Sequence, residues 1–506
     1  MKILFLYPGF ASPAIECLSA FLKHNGHETD VAYDPALFDD TMLGMKRFGN
    51  IFSYRNRVLK FIEKSQPDLI AFSVVTDLFD WSVSYAKDIK KLKPDVPILF
   101  GGVHVSSVPE EVIKQDCVDF AAVGEGELTI LELCNTLQNG GDPSKIQNIW
   151  CKVDGKVVSN PVRPLIPNLD DLPFPDKDLF VRRANYTAKY LYWTTTSRGC
   201  RNNCTFCSNN VLLNLYPERR KYLRRRSVDN VMEELIWAKK KYDYECIFFT
   251  DEIFSYNAKW LAELAEKMKK NLKGVRHFCQ AHPSGFTEDI ARALRDSGCY
   301  SLEVGIETIN PRIRQEFLNR RDSNESIIKC IELCHKYGIA VSVEHIFGIP
   351  TETEDDFLKT AYFYNEHPVE RIQCYWLTFY PKLQIRTILE DKGLIPKITD
   401  PEKLSHEYCK PMILGGSSFN RRINKYLFLF AFYMYFPKWL RTFILKYKLF
   451  LLLPSWVSFP HAFSKAFSKA HGIHVLQHYH KYPHFIFKKL FGIKTSEDAS
   501  AFSFKD

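Results

Sequence analysis

The sequence predicts an α/β protein with three parts: a doubly wound parallel-sheet domain, a parallel β/α barrel and a C-terminal helical region. Its length of 506 residues suits about three domains of ordinary size. The 46% of hydrophobic and 25% of charged residues exclude a disordered chain, a collagen-like fibre and a polytopic membrane protein. Short apolar runs alternate with helix-length segments in two successive stretches, which indicates two parallel sheets.

The first domain is expected over residues 1–145. Its candidate strands are Lys2–Leu6, His27–Ala32, Leu69–Val74, Pro97–Phe100 and Phe120–Val123. Ligands of such sheets bind on the loops that follow the carboxyl ends of the strands. The candidate binding residues on these loops are Ser73, Thr76, Gly101, Gly102, His104, Gly124, Glu125 and Gly126. Glycine allows a close approach of backbone to a ligand, but each of these glycines could instead serve only a tight turn.

A proline-rich segment over residues 146–188 predicts a linker. The second domain is expected over residues 189–400, where six strands alternate with helices as a partial (β/α)6 barrel whose chemistry lies at the carboxyl ends of its strands. The candidate strands are Tyr190–Thr196, Cys246–Thr250, Val275–Ala281, Ser301–Ile306, Ala340–Phe347 and Arg371–Thr378.

The C-terminal region, residues 401–506, differs sharply in composition and is expected to be mostly helical. Residues 408–496 contain 14 Lys and Arg and no Asp or Glu, although the formal charge of the whole chain is only +9. Residues 421–490 contain 19 aromatic side chains. Its apolar runs are too short or too interrupted by proline to span a bilayer. Three interpretations remain: a surface for the headgroups of an anionic membrane, a lid over a hydrophobic or acidic substrate, or a nucleic-acid surface, for which the region is unusually rich in Phe and Leu.

The N-terminal run Met1–Pro8 is too short for a signal peptide and predicts a first strand. We therefore expect a reducing, cytoplasmic location, in which most of the 14 cysteines are buried free thiols.

One cysteine cluster differs from the others, because Cys200, Cys204 and Cys207 follow the first predicted barrel strand at spacings of three and two residues. Thiolates select zinc, copper(I) or an iron–sulfur cluster. A structural zinc site needs four ligands, commonly from two Cys pairs, and no second pair lies nearby. Three thiolates suit a cubane cluster with one open iron.

This motif resembles that of the radical S-adenosylmethionine (SAM) superfamily, which implies a 4Fe-4S cluster held by the three cysteines and SAM bound at the open iron. In that family an aromatic residue at the position of Phe206 lies beside the adenine, and the segment of Asp251 and Glu252 binds the methionine amino end. The strand with Glu303 and Glu307 offers acids for the ribose hydroxyls, unless they pair with Arg312 or Arg276. Gln280 and Glu344, near strand ends, are further candidates for SAM.

The N-terminal domain is similar to the Rossmann-like domain of the cobalamin-binding subclass, which implies cobalamin on the loops given above. The Asp-x-His-x-x-Gly signature that supplies a lower axial histidine is absent. The nearest string, Gln280–Gly285, lacks the Asp and lies in the barrel. Cobalamin would then bind with its lower face against loop backbone or water.

The resemblance implies reductive cleavage of SAM to a 5′-deoxyadenosyl radical and methylation of an unactivated carbon, here of a hydrophobic, lipid-like substrate. The alternatives are a radical cyclase or carbon–carbon bond former on a tetrapyrrole or lipid, and a non-catalytic cobalamin or redox sensor. Expected partners are a small-molecule or lipid substrate and a one-electron reductase, flavodoxin or ferredoxin. Peripheral contact with an anionic membrane is a further expectation, and nucleic acid is not expected.

Overall fold

The computed structural model describes residues 1–8, 11–37, 46–184, 189–398, 416–453 and 485–486. The chain divides into two compact units. Unit 1 comprises residues 1–188, 211–224 and 477–506, and unit 2 comprises residues 189–210 and 225–476. Of the predicted C-terminal region, residues 401–415, 454–484 and 487–506 lie outside the described part.

Unit 1 is built on a seven-stranded sheet in the order β2-β1-β3-β4-β5-β6-β7. Strands β1 to β5 are parallel, whereas β5, β6 and β7 pair antiparallel. The order 2-1-3-4-5 is that of a doubly wound sheet, whose binding crevice lies at the carboxyl ends beside β1 and β3. The strands are β1 Lys2–Pro8, β2 Glu28–Asp34, β3 Leu69–Ser73, β4 Ile98–Gly101, β5 Phe120–Ala122, β6 Ile149–Val153 and β7 Lys156–Ser159.

The helices of unit 1 flank this sheet, and the apolar strand residues are fully buried, as Ile3 and Leu4 illustrate. They are α1 Pro13–His24, α2 Lys46–Ile51, α3 Arg55–Ser65, α4 Phe79–Leu92, α5 Val103–Ser107, α6 Pro109–Ile113, α7 Glu127–Gln138 and α8 Asp178–Ala184. The predicted doubly wound α/β fold is confirmed.

Residues 146–188, the predicted linker, differ from the expectation. They contribute β6 and β7 to the sheet, and their later part packs on α1 through a fully buried ion pair between Lys177 and Glu16. Asp176 accepts hydrogen bonds from Ser19 and Lys23 of the same helix, both at 2.6 Å. The prolines that suggested a linker belong to irregular chain around these contacts.

Unit 2 contains the six parallel strands that the sequence predicts, in the order β15-β14-β13-β12-β11-β8. They are β8 Tyr192–Thr194, β11 Cys246–Phe249, β12 Arg276–Ala281, β13 Cys299–Glu307, β14 Ala340–Phe347 and β15 Arg371–Trp376. The two-residue strands β9 Ser197–Arg198 and β10 Arg224–Arg225 lie between β8 and β11 in the chain.

Helices alternate with these strands. They are α9 Ser208–Asn214, which from Val211 onward belongs to unit 1, and α10 Val228–Tyr242, α11 Ala258–Asn271, α12 Glu288–Asp296, α13 Pro311–Glu316, α14 Asn324–Lys336, α15 Glu354–Glu366 and α16 Gln384–Asp391. Two C-terminal helices follow, α17 Gly416–Tyr433 and α18 Lys438–Lys446, with α17 against β15 and α18 against α15. No helix among the described residues is long and apolar enough to cross a membrane.

The two faces of the unit 2 sheet have different environments. Alternate strand residues, such as Ile247, Leu302 and Val343, form one large core with the long helices. The intervening residues point to the opposite side, which we call the inner face. Leu191, Cys246 and Phe278 form a separate small cluster there. The inner face also presents polar side chains, which are costly to bury and therefore mark a candidate site.

Gly102 provides a test of how the loops of unit 1 are packed. Its φ is +102°, and an added Cβ would lie 2.7 Å from the Val74 carbonyl oxygen. Gly102→Ala should lower the free energy of unfolding by about 2–4 kcal/mol, because strain and overpacking add. Gly26 is the matched control, since its φ is +82° and no atom lies within 4 Å of its added Cβ.

Gly26→Ala should cost only about 1 kcal/mol, from the left-handed backbone alone. Urea denaturation followed by circular dichroism measures both variants. Equal losses in the two variants would contradict the packing that the structure assigns to Gly102.

Candidate metal and cofactor site

The three motif cysteines lie on a short loop, residues 199–207, between β9 and α9. Gly199 begins this loop with a φ of +89°, which favours glycine. Cys204 is buried, and Cys200 and Cys207 are half-buried. The Cys207 amide donates to the Cys204 carbonyl at 3.3 Å, so the last two cysteines share one tight turn.

Thr205 fixes this loop to the rest of unit 2. Its amide donates to the Leu318 carbonyl at 3.3 Å, and its hydroxyl donates to the Phe317 carbonyl. The Ile385 amide in turn donates to the Thr205 carbonyl at 3.0 Å. The residue beside Cys204 is thus attached both to the chain after α13 and to the start of α16.

The three thiols are close enough to influence one another electrostatically. Burial raises the pKa of Cys204 to about 12 and that of Cys207 to about 11, and neighbouring motif cysteines add to both shifts. Three soft thiolate ligands on one loop fit a multi-iron cluster, whose binding would deprotonate them. Elsewhere among the described residues, His277, Cys279 and Cys299 place their ligand atoms within 4.8 Å of one another.

Glu252 lies within electrostatic reach of two of the thiols. Its charge raises the pKa of Cys200 and of Cys207, in addition to the larger effect of burial. The residue is exposed, yet the groups around its carboxylate desolvate it and raise its own pKa, whereas a hydrogen bond with Asn209 opposes that shift. A carboxylate in this position can accept from an ammonium group. Phe206 is half-buried on the same loop, and its place beside the adenine of SAM stays a prediction.

Asp251 has a different function from the one predicted. Its side chain is completely buried and accepts hydrogen bonds from the Thr196 amide at 3.0 Å, the Thr196 hydroxyl at 2.6 Å and the Ser197 hydroxyl. The carboxylate therefore ties the end of β11 to the chain that enters the cysteine loop. With these donors it holds the loop in place and is not available for an ammonium group of a ligand.

The polar candidates on β12, β13 and β14 come together on the inner face. Gln280 and Glu303 are register partners, and the Gln280 amide donates to Glu303 at 3.4 Å. Glu303 is also the register partner of Ser342, and Glu344 lies two residues further along the same strand. Because register partners share a face of the sheet, Gln280, Glu303 and Glu344 form one continuous polar surface.

Glu307 is buried at the end of β13 and pairs with Arg320, not with Arg312 or Arg276. Its carboxylate lies 2.9 Å from the Arg320 guanidinium, which also donates to the Gly305 carbonyl at 2.7 Å. Burial raises the pKa of Glu307 to about 7, and Arg320 opposes this shift. Arg320 also lowers the pKa of Cys204, although burial dominates there.

The sequence did not indicate Arg320. It lies in a different element from Glu307, so neither the strand repeat nor the helix repeat places the two residues on one face. The left-handed backbone of Asn319, with a φ of 51°, turns the chain so that Arg320 faces both Cys204 and Glu307. No sequence pattern that we recognised marks such a turn.

Arg371, at the start of β15, is a second residue that the sequence did not indicate. It is only 2% exposed, and none of its three guanidinium nitrogens has a hydrogen-bond partner among the described residues. It shares the inner face with Ser342, its register partner. Across this face Phe248 and Phe278 stack with ring centroids 4.4 Å apart, and Trp193 meets Phe248 edge to face at 5.2 Å. The inner face thus has an aromatic side and a polar side.

In unit 1, the predicted binding residues on β3 and β4 adjoin one another at the carboxyl edge of the sheet. Ser73 and Gly101 are register partners. His104 is buried against Phe79, its Nδ1 lies 3.2 Å from the Thr76 hydroxyl, and its Nε2 has no partner among the described residues. Burial lowers the pKa of His104 to about 4, so the ring is neutral. A neutral ring with one unpaired nitrogen at this edge fits a bound cofactor.

The loop of Gly124, Glu125 and Gly126 serves contacts within unit 1. Glu125 forms an ion pair with Arg224 at 2.6 Å, and its amide donates to the Tyr216 hydroxyl at 3.1 Å. An added Cβ at Gly124 would lie 2.6 Å from that hydroxyl. The close approach that glycine permits here is therefore to Tyr216, and Glu125, a predicted cobalamin-binding residue, is instead paired with Arg224.

Comparison with known families gives two matches along the chain. Residues 10–134 match the model of the B12 binding domain, and residues 194–363 match that of the radical SAM superfamily. The chain is 31% identical over 327 residues to an uncharacterized methyltransferase of Pyrococcus horikoshii, an alignment that covers 64% of this chain and 70% of that protein.

The chain is more distantly similar to a cyclase and to two enzymes of known structure. The chain is 24% identical to the anaerobic magnesium-protoporphyrin IX monomethyl ester cyclase of Rubrivivax gelatinosus, over 71% of this chain and 65% of that protein. Among solved structures, the cobalamin-dependent SAM radical enzyme OxsB has a TM-score of 0.67 at 16% identity, covering 99% of this chain and 82% of OxsB. The SAM methyltransferase TsrM of Kitasatospora setae has a TM-score of 0.62 at 18% identity, over 77% of this chain and 75% of TsrM. At these identities the two structures support the fold.

The neighbouring acids Asp251 and Glu252 allow a paired test, because one is buried among hydrogen-bond donors and the other is exposed near the thiols. Asp251→Asn should lower the free energy of unfolding by about 2–3 kcal/mol, because a buried acceptor of three hydrogen bonds is altered. Glu252→Gln should leave stability nearly unchanged and weaken SAM binding about tenfold, through loss of a charge-assisted hydrogen bond.

Urea denaturation measures the first effect, and equilibrium dialysis of SAM with the anaerobically reconstituted protein measures the second. Weakened SAM binding by Asp251→Asn at unchanged stability would contradict the assignment of these two residues.

Proposed function

The chain belongs to the radical SAM enzymes that have a B12-binding domain, and on that premise we propose that it is a methyltransferase acting on an unactivated carbon of a hydrophobic, lipid-like substrate. As a member of this family, it is a cobalamin-dependent enzyme that uses a 4Fe-4S cluster and SAM. The observation on which the proposal rests most is the succession of a B12-binding domain and a radical SAM domain in one chain, together with 31% identity to a methyltransferase.

When bound, the cluster and cobalamin supply one-electron cleavage of SAM and transfer of a methyl group. The residues of this chain bind and orient these groups. Cys200, Cys204 and Cys207 would hold the cluster on the loop that Thr205 and Asp251 fix. Glu252 would accept from the amino group of SAM, and Phe206 would lie against its adenine.

The ribose of SAM is expected on the inner face, where Gln280, Glu303 and Glu344 offer acceptors and donors. Glu307 is less suited to this task, because it is already paired with Arg320. In unit 1, Ser73, Thr76, Gly101, Gly102 and His104 would contact cobalamin at the carboxyl edge of the sheet.

Two features support an amphipathic substrate. The aromatic side of the inner face, Trp193, Phe248 and Phe278, suits a hydrophobic body. The buried guanidinium of Arg371, opposite that side, suits a polar oxygen-bearing group on the same molecule. A reductant is also needed, and we propose a flavodoxin, a ferredoxin or a dedicated one-electron reductase in the cytoplasm.

A second candidate function is radical cyclisation or carbon–carbon bond formation on a tetrapyrrole or lipid. The 24% identity to a magnesium-protoporphyrin monomethyl ester cyclase, over 71% of this chain, favours it. The two candidates differ in the fate of the SAM methyl group, which a methyltransferase transfers and a cyclase does not.

Cys204→Ala tests the proposed chemistry. With cobalamin, SAM and a strong reductant, the reconstituted wild-type protein should bind cobalamin and form 5′-deoxyadenosine. Cys204→Ala should lower iron content and reduce that product at least about a hundredfold, since one cluster ligand is lost. Cys330→Ala, at a buried cysteine of α14 outside the motif, is the matched control and should keep both properties.

The same reaction is then run with SAM that carries a deuterated methyl group and with an extract of the organism's hydrophobic metabolites as the substrate source. After incubation, mass spectrometry should detect a product with three deuterium atoms. Absence of cobalamin binding would overturn the proposed methyl transfer. A product formed without the label would favour the cyclase.

A further inference from the structure

Helix α18 and the turn after it present an exposed aromatic surface on unit 2. Trp439, Phe443 and Tyr447 follow one another at intervals of four residues, which places them on one side of the helix. They are 71%, 49% and 57% exposed, and Leu452 in the following turn is 84% exposed. We call these four residues the α18 patch. Large apolar side chains grouped in this way indicate an interaction surface.

The opposite side of α18 is anchored to unit 2. Leu445 is 1% and Arg441 is 5% exposed, and the Arg441 guanidinium lies 5.4 Å from the centre of the Tyr433 ring. Asn365 of α15 donates to Thr442 at 3.0 Å, and Lys438 pairs with Glu366 at 2.7 Å. The helix therefore has a fixed orientation, with the α18 patch facing away from α15.

The charged residues of α18 and of the turn after it are all basic. Lys446 and Lys448 are exposed beside the α18 patch, and the Lys446 ammonium lies 5.5 Å from the centre of the Tyr447 ring. Residues 408–496 contain no Asp or Glu, so no acid in this part of the sequence offsets these lysines. The acid of α15 that α18 approaches, Glu366, is already paired with Lys438.

We propose that the α18 patch binds the surface of an anionic lipid bilayer, with Trp439, Phe443, Tyr447 and Leu452 among the acyl chains and headgroups and Lys446 and Lys448 against lipid phosphates. Tryptophan and tyrosine favour this boundary, since their rings have an apolar body and a polar edge. An amphipathic helix with lysines beside its apolar side binds in the plane of the membrane and does not span it. Charge complementarity favours an anionic bilayer over a second, equally basic copy of this surface.

Membrane binding would bring the enzyme to a lipid-like substrate in the bilayer. The inference rests on the proposed function only for this link to the substrate. Membrane binding is measured without turnover. Formation of 5′-deoxyadenosine is measured without vesicles, so the two proposals fail separately.

The test is co-sedimentation of the full chain with vesicles of phosphatidylcholine alone or mixed with phosphatidylglycerol. The full chain should bind the mixed vesicles, and binding should weaken about tenfold or more in the variant Trp439→Ser, Phe443→Ser, Tyr447→Ser. Lys446→Glu with Lys448→Glu should weaken binding to the mixed vesicles only. The matched control replaces three exposed residues elsewhere on unit 2, Tyr190, Trp237 and Leu394, by serine and should bind as the unaltered chain does.

Two results would overturn the proposal. One is a vesicle result: either the unaltered chain does not bind the mixed vesicles, or the variant at Trp439, Phe443 and Tyr447 binds them as well as the unaltered chain does. The other is a dimer, seen by light scattering, that the same three substitutions dissociate, since this would assign the α18 patch to contact between copies of the chain.

Discussion

Three thiols in one nine-residue loop impose the constraint on which the rest of unit 2 depends. A loop of this kind has few hydrogen bonds of its own, yet its sulfur atoms must keep fixed positions to hold a cluster. The structure meets this requirement from outside the loop. Thr205 is bonded to the chain beyond α13 and to the start of α16, and Asp251 accepts three hydrogen bonds at the loop's entrance. The elements of unit 2 thus position the loop, and the loop would position the cluster.

The same constraint governs the buried charges nearby. Arg320 is held by Glu307 and Asp322 and by the Gly305 carbonyl, and it lies within electrostatic reach of Cys204. Removing Arg320, or an acid paired with it, would leave a buried charge without compensation, which costs more stability than the loss of an exposed ion pair. The buried charges at the end of β13 are therefore arranged in a network, whereas the apolar strand residues on the face opposite the inner face pack against the helices.

Much of the fold could be predicted from sequence, because short strand-like segments alternate with helix-length segments in two evenly spaced series, which is the pattern of parallel sheets. The six strands of unit 2 appear where those runs predict them, within a few residues at their ends. The hairpin of β6 and β7 was not predicted, since its residues are partly exposed and lie in a proline-rich context. Local pattern does not show that such a segment joins the edge of an existing sheet.

The site residues could be predicted where metal chemistry fixes their spacing in the sequence. They could not be predicted where contacts between distant parts of the chain bring them together. The cysteine motif was evident from three residues, and Glu252 lies beside its thiols. Asp251, its neighbour, could not be distinguished from it in sequence, because only the fold shows which carboxylate meets Thr196 and Ser197. Arg320, Arg371 and the Glu125–Arg224 pair depend on residues distant in the chain, to which a single sequence gives no guide.

The central claim is that Cys200, Cys204 and Cys207 hold a four-iron cluster whose remaining iron binds SAM. Electron paramagnetic resonance of the reduced, reconstituted protein, recorded with and without SAM, tests it most directly. We expect the signal of a reduced 4Fe-4S cluster that changes in shape when SAM is added. With SAM whose amino nitrogen is nitrogen-15, the electron–nuclear double resonance spectrum should show a hyperfine coupling to that nitrogen. A cluster signal that SAM leaves unchanged, or a protein that binds zinc in place of iron, would contradict it.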